Sequence, residues 1–274
     1  MDMQEKKLQK TFSGEFDRLL QKLKDEENFA FLRFSDGELF MLKGERLELS
    51  ENSFVTGDRS GAGYYPKEEQ KDFDPERDSF YRDRLIESLK HRQPNYFKGL
   101  TGVADEDIAG RGSFQYQLDM HGDGDDEHLT FSNVLINANY KRFLEEMMPI
   151  IKQKPVVMIC NEAATLENFA FPVVKDFRVG TNCIINDYSL IEEIKDWTRV
   201  NGIKDHIFLC SASTLSNYII HQCFEEFPNN TYIDIGSALN PWMDMEGWKY
   251  SRAYLQHWIL GQPNKYGTQE DTWI

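Results

Sequence analysis

The sequence predicts an α/β fold, a Rossmann-like and mostly parallel sheet with helices on both faces. Short apolar runs recur through the second half of the chain, at 156–160, 182–185, 206–210 and 231–236. Stretches with helical spacing separate them, near 163–176, 187–200 and 213–227. Nearly continuous apolar strands that alternate with helices are typical of a parallel sheet that is buried on both faces.

The first half of the chain is less regular. Apolar residues at spacings of three and four predict an amphipathic helix over 4–25. The pattern then predicts a strand at 29–34, a helix at 79–92, a second strand at 96–100 and a helix at 138–150. Two segments rich in Gly and charge, about 44–78 and 101–130, are expected to be irregular insertions. The length of the first suggests a functional role, and the second is either a solvated mobile loop or a lid on the acceptor side. We therefore predict one domain over residues 1–274.

The net charge of −15 argues against a nucleic-acid partner, although a small phosphorylated ligand remains compatible with it. The charged N-terminus lacks the apolar core of a signal peptide, and no apolar run approaches the roughly 20 residues that cross a bilayer. These features favour a soluble, cytoplasmic protein. The four cysteines lack the paired spacing of a zinc site and are expected to be reduced thiols. Four of the six histidines also lack the spacing of metal ligands: His91, His206, His221 and His257.

Small, polar or acidic residues follow five of the predicted strands. They are Ser35 to Glu38, Asn161 with Glu162, Asn186 with Asp187, Ser211 to Thr214, and Ser237. In an open parallel sheet, ligands bind beyond the carboxyl ends of the strands. We therefore expect these residues to form one site.

The most informative of these strand ends is Asp36-Gly37-Glu38. Two carboxylates one residue apart, joined by a permissive glycine, can bind a hard divalent cation such as Mn²⁺ or Mg²⁺. Three hydroxyl residues, at 211, 213 and 214, precede a helix, where they either bind phosphate and ribose oxygens or serve as ordinary N-caps. Near the C-terminus, Arg252 is either a phosphate contact or a surface residue on an aromatic-packed tail, and Tyr254 or Trp242 is a candidate for stacking on a base or sugar.

Several common enzyme motifs are absent from the sequence. It contains no Walker A motif, no Gly-x-Gly-x-x-Gly fingerprint and no Gly-x-Ser-x-Gly elbow. This disfavours a P-loop kinase, a dinucleotide-dependent dehydrogenase and an α/β-hydrolase.

The segment from Arg33 to Glu38 resembles the Arg-Phe-Gly-Asp-Gly-Glu motif of the GT-D-type glycosyltransferases, with Ser35 in place of the first Gly. The similarity is firm again at 233–236, Ile-Asp-Ile-Gly, and weaker at 96–102, 161–162 and 208–214. The resemblance implies the GT-D fold and an Asp-x-Glu motif, Asp36 and Glu38, that binds a metal and the donor diphosphate. The candidate nucleotide-sugar ligands are Arg33, Ser35, Gly37, Asn161, Ser211, Ser213, Thr214, Ser237, Arg252 and Tyr254.

The family usually has a His and then acidic residues after Ile-Asp-Ile-Gly, whereas this chain continues from Ser237 to Asp244 without a His. The family's acidic residue on the acceptor side is therefore not carried over. The resemblance also implies that transfer inverts the anomeric centre, and an inverting transfer needs one carboxylate as general base. The candidates are Glu162, Asp234, Asp58 and Asp119.

The sequence thus favours a metal-dependent glycosyltransferase that moves a sugar from a nucleotide diphosphate, which we expect to be UDP, to a hydroxyl of a glycan or glycosylated acceptor with inversion. One alternative is a metal-dependent phosphohydrolase or nucleotidyltransferase that uses the same carboxylates. Another is a non-catalytic module that binds a nucleotide or a glycan. The sugar, the acceptor and the oligomeric state do not follow from the sequence.

Overall fold

The structure is a computed structural model that describes residues 10–102, 106, 110–169, 171–245, 255 and 270. The α/β class predicted from the sequence is confirmed. Seven parallel strands form the main sheet in the order β7-β6-β1-β11-β10-β8-β9. Their bounds are β1 Ala30–Phe34, β6 Tyr96–Leu100, β7 Leu129–Phe131, β8 Val156–Asn161, β9 Val173–Val179, β10 Ile207–Ser211 and β11 Thr231–Asp234.

Helices flank this sheet in two groups. Helices α3, α8 and α9 pack together, whereas α1 contacts the helical segment 140–151. The longer helices are α1 Phe12–Lys24, α2 Asp36–Lys43, α3 Ser79–Lys90, α4 Ser113–His121, α8 Leu190–Val200 and α9 Leu215–Glu226. The shorter ones are α5 Tyr140–Arg142, α6 Met148–Ile151, α7 Cys183–Asn186 and α10 Asn240–Met243, with a π-helical turn, Phe143–Met147, between α5 and α6. Single 3₁₀ turns lie at Lys67–Glu69, Asp126–His128 and Asn137–Asn139.

The segment 44–78 is not irregular as predicted, because it forms a second sheet. Its four antiparallel strands run in the order β4-β3-β2-β5, with β2 Leu47–Leu49, β3 Ser53–Thr56, β4 Arg59–Ala62 and β5 Lys71–Phe73. Leu47 and Phe73 pair across β2 and β5, and both are buried. Strands of three or four residues are too short for a clear alternating pattern, which is why the sequence did not reveal them.

One asparagine fastens this antiparallel sheet to the parallel one. Asn182 follows β9 and takes a left-handed conformation with φ +52°. Its side chain accepts a 3.1 Å hydrogen bond from the backbone N–H of Asp72 and donates a 3.1 Å bond to the Asp72 carbonyl. The edge strand β5 is thereby held against the carboxyl end of β9.

Three other local predictions were wrong. The run 182–185 forms helix α7 instead of a strand, and the Cys183 thiol donates to the Ala212 carbonyl. The stretch 163–176 is not helical, because its end belongs to β9, an edge strand whose partly exposed polar residues masked the strand pattern. The predicted loop 101–130 contains α4 and β7. Tertiary packing overrides local preference in each segment.

Two predictions from composition can be compared with the described residues. No helix among them is both long and apolar enough to cross a bilayer. The four cysteines are buried and unpaired. They behave as small apolar side chains, and burial raises the pKa of the Cys183 thiol to about 12.

Candidate active site

A cavity of about 550 Å³ lies at the carboxyl edge of the parallel sheet, where the sequence placed the site. It is bounded on one side by strand ends of the main sheet and on the other by residues of the antiparallel insertion. Ten of the predicted site residues line it: Arg33, Ser35, Asp36, Gly37, Glu38, Asn161, Ser211, Ser213, Asp234 and Ser237. Positions up to 204 residues apart in the chain thus meet in one cavity because parallel strands end at the same edge.

The Asp-Gly-Glu segment is the first turn of α2. Ser35 is the N-cap, and its backbone N–H donates a 3.0 Å hydrogen bond to Glu38 Oε2, which completes a capping box. Thr214 Oγ1 donates a 2.6 Å bond to Glu38 Oε1. Glu38 is therefore buried and joins the start of α2 to the segment between β10 and α9.

Asp36 occupies a more open position than Glu38. It is the first residue of α2, is half-buried, and accepts a 3.3 Å hydrogen bond from Ser35 Oγ. Its carboxylate lies at the positive end of the helix dipole, a position that favours negative charge. Asp36 is thus the carboxylate of the pair that is better exposed to a ligand in the cavity.

Asp234, at the end of β11, is only 5% exposed. Its Oδ1 accepts a 2.8 Å hydrogen bond from the Gly236 N–H and lies 3.9 Å from Arg33 Nη1. Burial raises the pKa of Asp234 to about 7; the Arg33 cation lowers it, and the negative charge of Glu38 raises it. This carboxyl group therefore titrates near neutral pH, far from the usual value of 3.8.

Gly236 makes room for the Arg33 side chain. A Cβ on Gly236 would lie 1.5 Å from Arg33 Nη1, and the residue has φ +48°. Arg33 Nε also donates a 2.6 Å hydrogen bond to the Ser132 carbonyl, so the guanidinium has little freedom to withdraw. The glycine of the Ile-Asp-Ile-Gly segment is required here for space as well as for conformation.

We expect Gly236→Ala to lower the free energy of unfolding by about 1–3 kcal/mol more than Gly112→Ala, because a methyl group is forced into a packed site. Gly112 is the matched control: its φ is +79°, and nothing lies within 4 Å of the position of a Cβ. Urea unfolding of both variants measures the difference. Equal losses would show that Arg33 does not pack over Gly236.

The hydroxyl residues between β10 and α9 divide into two roles. Ser213 is exposed at the cavity wall and takes a left-handed conformation, φ +50°. Ser211 Oγ donates a 2.7 Å hydrogen bond to the Gly236 carbonyl, which ties β10 to the turn after β11. Thr214 is fully buried and contacts Glu38 instead of lining the cavity. Its predicted contact with the nucleotide sugar therefore has no support from its position.

Three of the four candidate bases lie outside the cavity lining. Glu162 is exposed and contacts Lys67 Nζ at 3.4 Å. Asp58 is exposed in the turn between β3 and β4. Asp119, predicted in a loop, is exposed on helix α4, where it accepts a 2.6 Å hydrogen bond from Gln115. Only Asp234 of the four lines the cavity. Arg252 and Tyr254 lie outside the described residues.

The insertion 44–78 contributes cavity residues that the sequence did not reveal, among them Lys71 on β5, and Tyr65, Glu68 and Glu69 between β4 and β5. Lys71 Nζ lies 3.5 Å from the position that a Cβ on Gly37 would occupy, so its ammonium group reaches the first turn of α2. The length of the insertion was the one sequence signal that pointed to a role in the site.

Comparison with known proteins gives a match in structure alone. No family model and no curated protein matches the sequence. A selenomethionine-substituted structure of domain of unknown function 1792 has a TM-score of 0.57 and 12% identity, over 93% of this chain and 82% of that one. A second structure of that domain, described as having a distinct glycosyltransferase fold, has a TM-score of 0.56 and 12% identity, over 93% of this chain and 87% of that one.

The chain has the fold of these domains. At 12% identity the likeness concerns the fold alone, and it confirms at that level the resemblance to the GT-D-type glycosyltransferases. The structure thus combines a glycosyltransferase-like fold with a cavity at the carboxyl edge of its sheet. Together they limit the activities that need to be considered.

Proposed function

We propose that the protein is a divalent-metal-dependent glycosyltransferase that uses a nucleotide-diphosphate sugar, with UDP as the expected nucleotide. One observation carries the proposal: in a glycosyltransferase-like fold, the carboxyl-edge cavity brings Asp36 together with Lys71, Arg33 and Asp234. Its volume of about 550 Å³ falls within the usual range of small-molecule sites, roughly 300–1,000 Å³. The acceptor is proposed to be a glycan or glycosylated molecule.

The carboxylates fit a Mn²⁺ or Mg²⁺ ion. Such ions are commonly bound by one or two carboxylates together with substrate phosphates. Asp36 faces the cavity, and each oxygen of Glu38 keeps a second lone pair beside its hydrogen bond to the protein. Hydrogen bonds of this kind orient a ligating carboxylate. When bound, the cation supplies charge neutralisation and Lewis-acid activation of the diphosphate leaving group.

The remaining residues of the cavity suit a donor diphosphate. Lys71 and Arg33 both line the cavity and supply positive charge, and the first turn of α2 directs backbone N–H groups toward the same region. Ser213, which follows β10, and Ser237, which follows β11, contribute hydroxyl groups to the lining of the cavity. These local cations overcome the repulsion that a net charge of −15 exerts on a phosphorylated ligand.

Asp234 is proposed as the general base. It is the candidate base that lines the cavity, and its pKa of about 7 suits proton abstraction from an acceptor hydroxyl near neutral pH. Its burial and its bond to the Gly236 N–H fix the orientation of the carboxylate. An inverting transfer needs one such base on the acceptor side.

A thermal-shift panel of nucleotide diphosphates and sugar nucleotides, with and without Mn²⁺, tests the donor class. We expect a Mn²⁺-dependent rise in the midpoint for UDP and one UDP-sugar. Lys71→Met should weaken donor binding at least about tenfold, because a cation that contacts phosphate contributes more than 1 kcal/mol. Lys67→Met is the matched control, since Lys67 lies on the same insertion but contacts Glu162 on the surface.

The products distinguish the alternatives. A glycosyltransferase hydrolyses its donor slowly to nucleoside diphosphate and sugar, whereas a phosphohydrolase or nucleotidyltransferase releases phosphate or pyrophosphate from nucleoside triphosphates. A binding module shows a thermal shift without turnover and no loss of function in EDTA. No shift with any nucleotide would contradict the proposal.

A further inference from the structure

His91, His221 and Glu225 meet at the edge of the sheet opposite to the cavity. His91 directly follows helix α3, while His221 and Glu225 are one turn apart on α9. The three side chains offer ligand atoms that all lie within 4.8 Å of one another. His221 contacts Tyr96, the first residue of β6, whereas the cavity lies beyond the last residues of the strands. The two places are separated by the length of a strand, about 16 Å.

The hydrogen bonds of the two imidazoles determine which nitrogen carries the proton. The Tyr96 hydroxyl donates its single proton to the Ser88 carbonyl at 3.1 Å, so the 3.3 Å contact with His221 Nδ1 requires Nδ1–H to be the donor. His91 Nε2 lies 3.0 Å from Gln93 Oε1, an amide oxygen that can only accept. The nitrogens left with lone pairs are therefore His221 Nε2 and His91 Nδ1.

Both of these nitrogens lie near the carboxylate of Glu225. His91 Nδ1 lies 3.5 Å from Glu225 Oε1, and His221 Nε2 lies 3.8 Å from Oε2. Three acceptors that face one another repel unless a proton or a metal cation lies between them. Ligand atoms held about 2.1 Å from a tetrahedral zinc ion are separated by about 3.4 Å, close to both distances.

We propose that His91, His221 and Glu225 form a zinc site. Two imidazoles and one carboxylate are a common ligand set for Zn²⁺, and it differs from the oxygen ligands that Mn²⁺ or Mg²⁺ prefers at Asp36. Tyr96 and Gln93 act as positioning residues, since each bonds the other nitrogen of a ligating ring. Glu225 is half exposed, which leaves a fourth position open to water.

The Arg and Lys side chains whose charges act on His221 are Arg84 and Lys195, and both are paired with acidic residues. Arg84 pairs with Glu87 at 2.7 Å, and Lys195 pairs with Glu192 at 3.3 Å and Glu226 at 3.6 Å. His221 is only 4% exposed, so it has little solvent to displace before binding a metal.

The other cluster of this kind among the described residues, Asp125, Glu127 and His128, is a weaker candidate. His128 Nδ1 contacts Asp125 directly, and Asp125 Oδ2 accepts a 2.7 Å hydrogen bond from the buried Lys98 ammonium group. The Lys98 ammonium group therefore already neutralises the Asp125 carboxylate.

The proposed zinc ion would join the C-terminal end of α3 to α9, two elements that are 130 residues apart at His91 and His221. Because it lies on the far side of the sheet from the cavity, its expected contribution is to stability, with no part in sugar transfer. Failure of the zinc proposal would therefore leave the proposed function unaffected, and failure of the proposed function would leave the zinc proposal unaffected.

Calorimetric titration of the EDTA-treated full chain with Zn²⁺ alone tests this site. We expect one equivalent to bind, and Glu225→Gln and His91→Gln each to raise the dissociation constant at least about tenfold; Gln93→Ala should raise it by about ten- to a hundredfold. His128→Gln and Asp36→Asn are controls that should still bind one equivalent of Zn²⁺. Co²⁺ should give the visible absorption of a tetrahedral site, lost in Glu225→Gln.

Any of three results would overturn the zinc site. The first is the absence of stoichiometric Zn²⁺ binding to the intact chain. The second is binding that persists unchanged in both His91→Gln and Glu225→Gln. The third is binding that disappears in His128→Gln. Far-UV circular dichroism of each variant separates loss of a ligand from loss of the fold.

Discussion

Asp36→Asn should reduce sugar transfer on the order of a hundredfold or more, because loss of one carboxylate ligand would weaken binding of the cation that stabilises the developing negative charge of the leaving diphosphate. The fold should be retained, since Asn preserves the shape of the side chain and the exposed end of α2 loses only about 0.3–1 kcal/mol of helix-dipole interaction. Release of nucleoside diphosphate, measured across a Mn²⁺ titration, gives the rate and the metal dependence.

Asp58→Asn is the matched control for this variant. Asp58 lies in the exposed turn between β3 and β4 and does not line the cavity. The Asp58→Asn protein should transfer sugar at the wild-type rate. Transfer by the wild type should stop in EDTA and return when Mn²⁺ is added. A well-folded Asp36→Asn protein with normal transfer would refute the metal assignment.

Asp234→Asn should abolish transfer while donor binding is retained. If Asp234 is the base, the wild-type kcat/KM must fall as pH decreases through about 7, where this carboxyl group gains its proton. Asp119→Asn, a substitution on the exposed side of α4, is the control that keeps both the rate and the pH profile. A profile that lacks this limb, or an active Asp234→Asn enzyme, would exclude Asp234 as the base.

The same substitution should change stability in the opposite direction to activity. The pKa of Asp234 is about 7 in the folded chain, whereas its ordinary value is 3.8. Between about pH 4 and 7, the folded state therefore holds a proton that the unfolded state has already released. The stability that this proton provides is present below about pH 4 and is lost as pH rises toward 7, on the order of 4 kcal/mol in all.

Asn carries no charge at any pH, so Asp234→Asn should escape this loss and be more stable than the wild type at pH 8. Urea unfolding at pH 5 and pH 8 measures both proteins. If the free energy of unfolding changed by the same amount in both proteins between pH 5 and pH 8, burial would not raise the pKa of Asp234 in the folded chain.

The parallel sheet and the place of the site could be predicted because the relevant signals are local. The apolar runs of β1, β8, β10 and β11 are each visible in the sequence, and the rule that ligands bind at the carboxyl edge applies to any open parallel sheet. The residues that follow those strands therefore pointed to the cavity before any contact was known.

The insertion and the roles of individual carboxylates could not be predicted in this way. Strands of three or four residues carry no usable period, so Lys71 was not recognised as part of the site. Glu38 and Thr214 are 176 residues apart, and their hydrogen bond appears only when two strand ends meet. The four candidate bases looked alike in sequence because each is an acidic residue near an expected loop or strand end.

The sequence by itself determined the α/β class, the parallel sheet and the edge at which Asp36 and Glu38 lie, since these depend on hydrophobic pattern and on residues next to one another. The tertiary structure decided which acid is buried beside Arg33, which lysine reaches Gly37, and which histidines face Glu225. Those properties depend on distance and desolvation, and both arise only when distant segments pack together.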